Sequence, residues 1–245
     1  MNDQSMQSFG DRARKVRLDA RPEPIEFIPN QTAIVVVDLQ NGYASPGGYR
    51  ELIGQDVGPA RAAVANALRI LDASRAAGLT VIMLQNGWDA ELKTAPNWHK
   101  SNPLKTMRAR PELKGKILTH GSWDYAFVDE LKPAPSDIIV PKARYSGFCG
   151  TDLDNMLRSR AIRHLVFVGI ASNVCVESTI RDAYFREYFC LFVRDATQAS
   201  GPAFMQDAVE FNVKTFLGWV TDTASLCEAL SQATPGPVAG RAPRS

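Results

Sequence analysis

Seven consecutive residues, Thr32 to Asp38 (TAIVVVD), form an almost unbroken apolar run that ends in a charge. A strand with one wet face would alternate, so this run predicts a parallel strand covered by helices on both faces. Similar short runs recur at Thr80 to Leu84, Asp137 to Lys142, His164 to Gly169, Phe189 to Val193 and about Thr215 to Val220, separated by longer amphipathic segments. One helix is predicted to start near Pro59, to bury Ala60, Ala63, Val64, Ala67, Leu68 and Leu71, and to close at Gly78. Others are predicted at about 124–131, 150–161, 173–187, 203–212 and 222–231. The alternation predicts an α/β fold: a doubly wound, mostly parallel six-stranded sheet with helices on both faces, in a Rossmann-like three-layer sandwich joined by right-handed crossovers.

A chain of 245 residues with 45% hydrophobic and 22% charged residues can bury one sizeable core. The expected organisation is one domain over residues 25–231, flanked by mobile tails at 1–24 and 232–245. The net charge of +2 comes without a Lys/Arg-rich run, which argues against a nucleic-acid partner. No stretch approaches the roughly 18 apolar residues of a membrane span, and the N-terminus has no signal-peptide core. No membrane association is expected, and the expected location is cytoplasmic. Cys149, Cys175, Cys190 and Cys227 form no C-x-x-C pair, so reduced thiols are expected rather than a disulfide framework or zinc knuckle.

Open parallel sheets bind ligands outside the carboxyl ends of their strands. Three reactive residues fall there. Asp38 closes the first long strand, Lys142 closes IIVPK, and Cys175 lies just beyond HLVFVG, where a helix begins. A cysteine at a helix start gains thiolate stabilisation from the helix dipole, and a nearby ammonium lowers its pKa further. Lys142 is placed to supply that charge. Asp38 can accept the thiol proton and pass it to a departing nitrogen, as amide cleavage requires. Singly, each residue also has an ordinary role, as helix cap, solvated cation or small buried hydrophobe. The joint placement of base, cation and nucleophile points to chemistry. Cys190 and Cys227 read as core thiols, and Cys149 as a possible pocket-wall residue.

The segment from Asn86 to Ser122 is long, weakly periodic and rich in Trp, Asn, Lys and Pro. Ordered loops of this length are often functional. The chain contains only His99, His120 and His164 and no close His pair, which gives a metal centre little support. No metal and no cofactor are expected. His164 reads as structural, whereas His99 is a candidate to face substrate. Asn41, Tyr43, Tyr49, Asn86, Trp88 and Tyr145 are further candidates for the wall of a small-molecule pocket.

The segments IVVVDLQNGY, VPKARYSGF and VGIASNVCVESTIRDA resemble the three signature blocks of the isochorismatase-like cysteine hydrolases, which carry the Asp, Lys and Cys of that superfamily. Within it, YASPGGY, QNGWD, NWHKSNPLKTMR, GSWDYAFVDEL and RSRAIRHLVFVGIASNVCVEST are similar to the ureidoacrylate amidohydrolases of the Rut pathway of pyrimidine breakdown. This closer resemblance runs from about Arg21 to Leu230.

The resemblance implies that Asp38 is the base, Lys142 the supporting cation and Cys175 the nucleophile. It also implies a cis peptide at Ile170-Ala171, turning the Ala171 N–H inward so that the N–H groups of Ala171 and Cys175 form an oxyanion hole. The implied reaction is attack of Cys175 on the ureido carbonyl of (Z)-3-ureidoacrylate or its peroxy form, then hydrolysis of a carbamoyl-thioester to give aminoacrylate and carbamate. The substrate carboxylate needs a cationic or N–H-rich partner, and Arg144, Lys100, Lys105 and Arg108 are the candidates. Relatives of this fold usually assemble as dimers or tetramers, so a homo-oligomer is expected. Another ureido or carbamoyl amidase, such as a biuret or N-carbamoylsarcosine hydrolase, stays open, as does a non-catalytic scaffold.

Overall fold

The computed structural model describes residues 15–91, 93–95, 110–113 and 116–233. Its strands are β1 (Val16–Leu18), β2 (Ile25–Phe27), β3 (Thr32–Val37), β4 (Thr80–Asn86), β5 (Ile138–Lys142), β6 (His164–Ile170), β7 (Phe189–Gln198) and β8 (Gly218–Thr221). The main sheet has the order β5-β4-β3-β6-β7-β8, and every pairing in it is parallel. The helices are α1 (Asn41–Ala44), α2 (Tyr49–Leu52), α3 (Gly58–Ala76), α4 (Leu153–Arg158), α5 (Glu177–Tyr184), α6 (Phe204–Asn212) and α7 (Thr223–Ala233).

Alternate residues of a strand point to opposite faces, and β3 divides itself accordingly. Ile34 and Val36 join an apolar layer with α3, α7 and β1. Ala33, Val35 and Val37 join a second layer with α4, α5 and α6. All six β3 residues are buried, so the continuous apolar run matches a two-sided central strand. In α3 the buried face is Ala60, Ala63, Val64, Ala67, Ile70, Leu71 and Ser74, with Leu68 only partly buried against it. Pro141 sits in β5, at the sheet edge, where a missing N–H is tolerated.

Five expectations need correction. Residues 15–24 are not a tail: β1 pairs antiparallel with β2, and Val16, Leu18 and Ala20 are buried in the α3/α7 layer. No helix forms over 124–131. Asn41, Gly42 and Val128 instead form backbone hydrogen bonds that tie this segment to the stretch after β3, engaging the carbonyls of Ala126, Asp124 and Leu39. Helix hydrogen bonding therefore loses carbonyls at 124 and 126. The last strand starts at Gly218 because α6 continues as a π-helical turn, Val213–Leu217. Likewise the helix predicted from 173 opens as a π-helical turn, Ser172–Val176, before α5 begins. Of the expected C-terminal tail, Gln232 and Ala233 instead complete α7, and residues 1–14 and 234–245 lie outside the described residues.

Candidate active site

Register brings the three strand ends together. Val37 lies opposite Leu84 of β4 and Gly169 of β6, and Asn86 lies opposite Lys142 of β5. The chain turns sharply at Asp38, whose φ of 50° is in the left-handed region. Non-glycine residues adopt that region at some cost, and Asp is among those that tolerate it. Such outliers concentrate at functional sites. On β6, Gly169 has φ 119°, and a Cβ there would come within 2.0 Å of the Val37 carbonyl oxygen. Only glycine lets β6 approach β3 this closely just before the chain turns into the Cys175 segment. The Ile170-Ala171 peptide bond is cis.

The Lys142 ammonium forms an ion pair with Asp38 Oδ2 at 2.7 Å, and both side chains are fully buried. Lys142 Nζ also donates to the Arg144 carbonyl at 3.0 Å. Cys175 is buried as well and lies within electrostatic reach of both Asp38 and Lys142. Cys175 sits in the first turn of its helix, flanked by the Val174 and Val176 N–H groups, which both donate to the Ala171 carbonyl. Thr179 Oγ1 donates to the Cys175 carbonyl at 2.6 Å and accepts from Gly147 N–H at 3.0 Å, which fixes the turn against the β5–α4 loop.

Burial raises the Asp38 pKa above the ordinary carboxylate value, with the Lys142 charge and hydrogen bond opposing it. For Lys142, burial disfavours the charged form, but Asp38 and Cys175 more than offset this and hold it protonated. Burial also pushes the Cys175 thiol well up, and Lys142 counters only part of that effect. This corrects the expectation of a thiolate with a lowered pKa. Desolvation outweighs the neighbouring ammonium and raises the thiol's pKa beside a carboxylate whose own pKa is raised.

A cavity of about 220 Å³ opens onto this cluster, lined by Tyr43, Tyr49, Arg50, Ile53, Gln55, Trp88, Tyr145, Ala171, Val174, Cys175 and Ser200. Of the candidates named from the sequence, Tyr43, Tyr49, Trp88, Tyr145, Ala171 and Cys175 are brought together around this cavity. Asn86 stands behind this wall: its Oδ1 accepts from Tyr43 OH at 2.8 Å, and its Nδ2 donates to the carbonyls of Lys142 and Arg144. Asn41 does not line the cavity. Its amide donates to the Trp123 and Phe127 carbonyls, so its role is to hold the 122–128 segment. Arg144 does not line it either, because its guanidinium turns to the Thr94 and Ala143 carbonyls.

His99, Lys100, Lys105 and Arg108 lie outside the described residues. His164 stacks on Phe189 at 4.8 Å, and burial lowers its pKa to about 4, consistent with a structural ring. Cys149 is exposed and not part of the cavity, and Cys190 is buried in the core. Among the described residues no group of three or more His, Cys, Asp or Glu is placed to hold a metal ion. Sequence reasoning missed Arg50, Ile53, Gln55, Val174 and Ser200. No local pattern marks Arg50, whose burial depends on the close approach of Gly48 to the Asn41 carbonyl.

Residues 32–225 match the isochorismatase domain. The chain belongs to the isochorismatase family. Within that family it is 57% identical over 225 residues to the ureidoacrylate amidohydrolase RutB of Klebsiella pneumoniae (strain 342), covering 90% of this chain and 95% of the relative. It is 55% identical over 230 residues to that of Rhizobium rhizogenes, covering 92% and 94%. Among solved structures, a cysteine hydrolase from Pseudomonas syringae pv. phaseolicola superposes with a TM-score of 0.72 at 28% identity, covering 84% of this chain and 95% of that one. An N-carbamoylsarcosine amidase from Thermoplasma acidophilum superposes with a TM-score of 0.58 at 25% identity, covering 79% and 96%.

Proposed function

We propose that this chain is a cysteine-dependent amidohydrolase that cleaves the ureido C–N bond of (Z)-3-ureidoacrylate, and of its peroxy form, releasing aminoacrylate and carbamate. The observation that carries the chemistry is the buried Asp38–Lys142 ion pair next to Cys175, which itself lines one small cavity. The substrate follows from the high identity to ureidoacrylate amidohydrolases along most of both chains.

In this reading Asp38 takes the thiol proton as Cys175 Sγ bonds to the ureido carbonyl carbon. The carbonyl π electrons move to oxygen, where the N–H groups of Ala171 and Cys175 receive the developing charge. Collapse breaks the bond to the aminoacrylate nitrogen, which leaves with the proton held by Asp38. Water, deprotonated by Asp38, then attacks the carbamoyl-thioester, and carbamate departs as the thiol is restored. Lys142 keeps Asp38 ionised at the start of each cycle and balances the charge that moves between carboxylate and sulfur.

The place of such an enzyme is cytoplasmic pyrimidine nitrogen catabolism. A homo-oligomer is supported by the exposed rings of Phe185, Phe189 and Phe216 around one surface depression, since large exposed apolar patches mark association surfaces.

A substrate panel tests the assignment. Ammonia release should be fastest from (Z)-3-ureidoacrylate, with biuret and N-carbamoylsarcosine at least tenfold slower in kcat/KM. Faster turnover of either competitor would reassign the substrate while leaving the chemistry in place.

A further inference from the structure

Arg50 is the basic residue that the cavity itself displays, and it is buried, with 4% of its surface exposed. Its placement follows from the turn before it. A Cβ on Gly48 would lie 2.3 Å from the Asn41 carbonyl oxygen, so glycine lets α2 fold back on α1 and turn its first residues inward. Two parts of the guanidinium are tied to protein: Nε donates to Gln55 Oε1 at 3.0 Å, and Nη2 donates to the Ala199 carbonyl at 3.1 Å. Ser200 Oγ donates to the same Gln55 oxygen at 2.9 Å, which secures the fork from the β7 side. The remaining nitrogen, Nη1, is buried and has no hydrogen-bond partner. Among the described residues no acid forms an ion pair with Arg50, and Glu51 instead accepts from Gly47 N–H at 2.7 Å.

A buried cation held by neutral acceptors, with one nitrogen left over, lacks the counter-charge that buried ions require. The cavity supplies a place for one, since Arg50, on α2, and Cys175, after β6, both line it together with Tyr49 and Trp88. We propose that Arg50 Nη1 receives the carboxylate of the substrate, making this a site for short ureido acids with a carboxylate at one end and the scissile carbonyl at the other. This rests on the function proposed above and names the feature that sets its substrate class. The charge-assisted hydrogen bonds place the carbonyl over Cys175, and they select against neutral ureas that fit the same space.

The test compares kcat/KM for (Z)-3-ureidoacrylate with that for its methyl ester, in wild type and in Arg50→Gln and Arg50→Lys. The wild type should prefer the acid, Arg50→Gln should lower the acid-to-ester ratio by about 10-fold to 100-fold, as expected for loss of a charged hydrogen bond, and Arg50→Lys should recover part of it. An unchanged ratio in Arg50→Gln would overturn the proposal. If that variant does not fold, wild type decides: propionate should protect Cys175 from iodoacetamide at a concentration at least tenfold below propionamide, and equal protection would overturn it. Failure of the broader function gives a different result, in which wild type turns over neither acid nor ester while both protection constants are still measurable.

Discussion

The floor and the rim of the cavity are built differently. Asp38, Lys142 and the Cys175 turn hang from the ends of β3, β5 and β6, three strands locked in one register and fully buried at the ion pair. Tyr43, Tyr49 and Arg50 stand on α1 and α2, two helices of four residues each, and Tyr145 is half exposed on a loop. Rigid sheet ends suit atoms that must meet within hydrogen-bonding distance, whereas loops and short helices vary without disturbing that geometry. In the function proposed above, the chemistry resides in the floor and the selectivity in the rim.

Substitutions at the floor should reduce turnover of every substrate alike, and those at the rim should change the ranking of substrates. Asp38→Asn keeps the shape but removes the base, and kcat for ureidoacrylate should fall on the order of 10³-fold to 10⁴-fold; a loss below tenfold would move the base elsewhere. Lys142→Met leaves Asp38 buried without its partner, and denaturant unfolding should show a loss of about 3–5 kcal/mol. A stability equal to wild type would mean that Asp38 is neutral in the resting protein.

The pH profile follows from the same pair. Burial raises the Asp38 pKa from its ordinary 3.8, and the protonated carboxyl cannot accept the thiol proton. Activity is therefore present above the raised pKa and lost as pH falls through it. The acid limb of kcat/KM should lie above the ordinary carboxylate range, and a limb at or below 3.8 contradicts the desolvation argument. The smallest effect belongs to the rim. Tyr43→Phe removes the hydrogen bond to Asn86, worth about 0.5–1.5 kcal/mol, so kcat/KM should drop less than about 15-fold, and by unequal factors for the acid and its neutral ester.

The floor was legible in the sequence because Asp38 and Lys142 each end an apolar run and Cys175 follows one closely, and the strand pattern alone places such residues at one edge of a sheet. Arg50 was not, since its burial comes from a backbone contact between Gly48 and Asn41 that local pattern does not encode. The segment at 124–131 has the apolar spacing of a helix, yet long-range backbone bonds to the stretch after β3 engage its carbonyls. Similarly, β1 is only three residues long and carries too little periodicity to stand out from a polar terminus. The state of Cys175 was misjudged for a related reason: a helix start and a lysine can be read from sequence, but complete burial of the sulfur's surroundings depends on tertiary packing.

Replacing the nucleophile while leaving the rim intact tests the central claim most directly. Initial rates of ureidoacrylate loss should be measured for wild type and Cys175→Ala at equal concentrations, with folding of both checked by thermal unfolding. The variant should be folded and slower by about 10⁴-fold or more, as for removal of other catalytic nucleophiles. A folded variant that retains a tenth or more of the wild-type rate would contradict catalysis through Cys175.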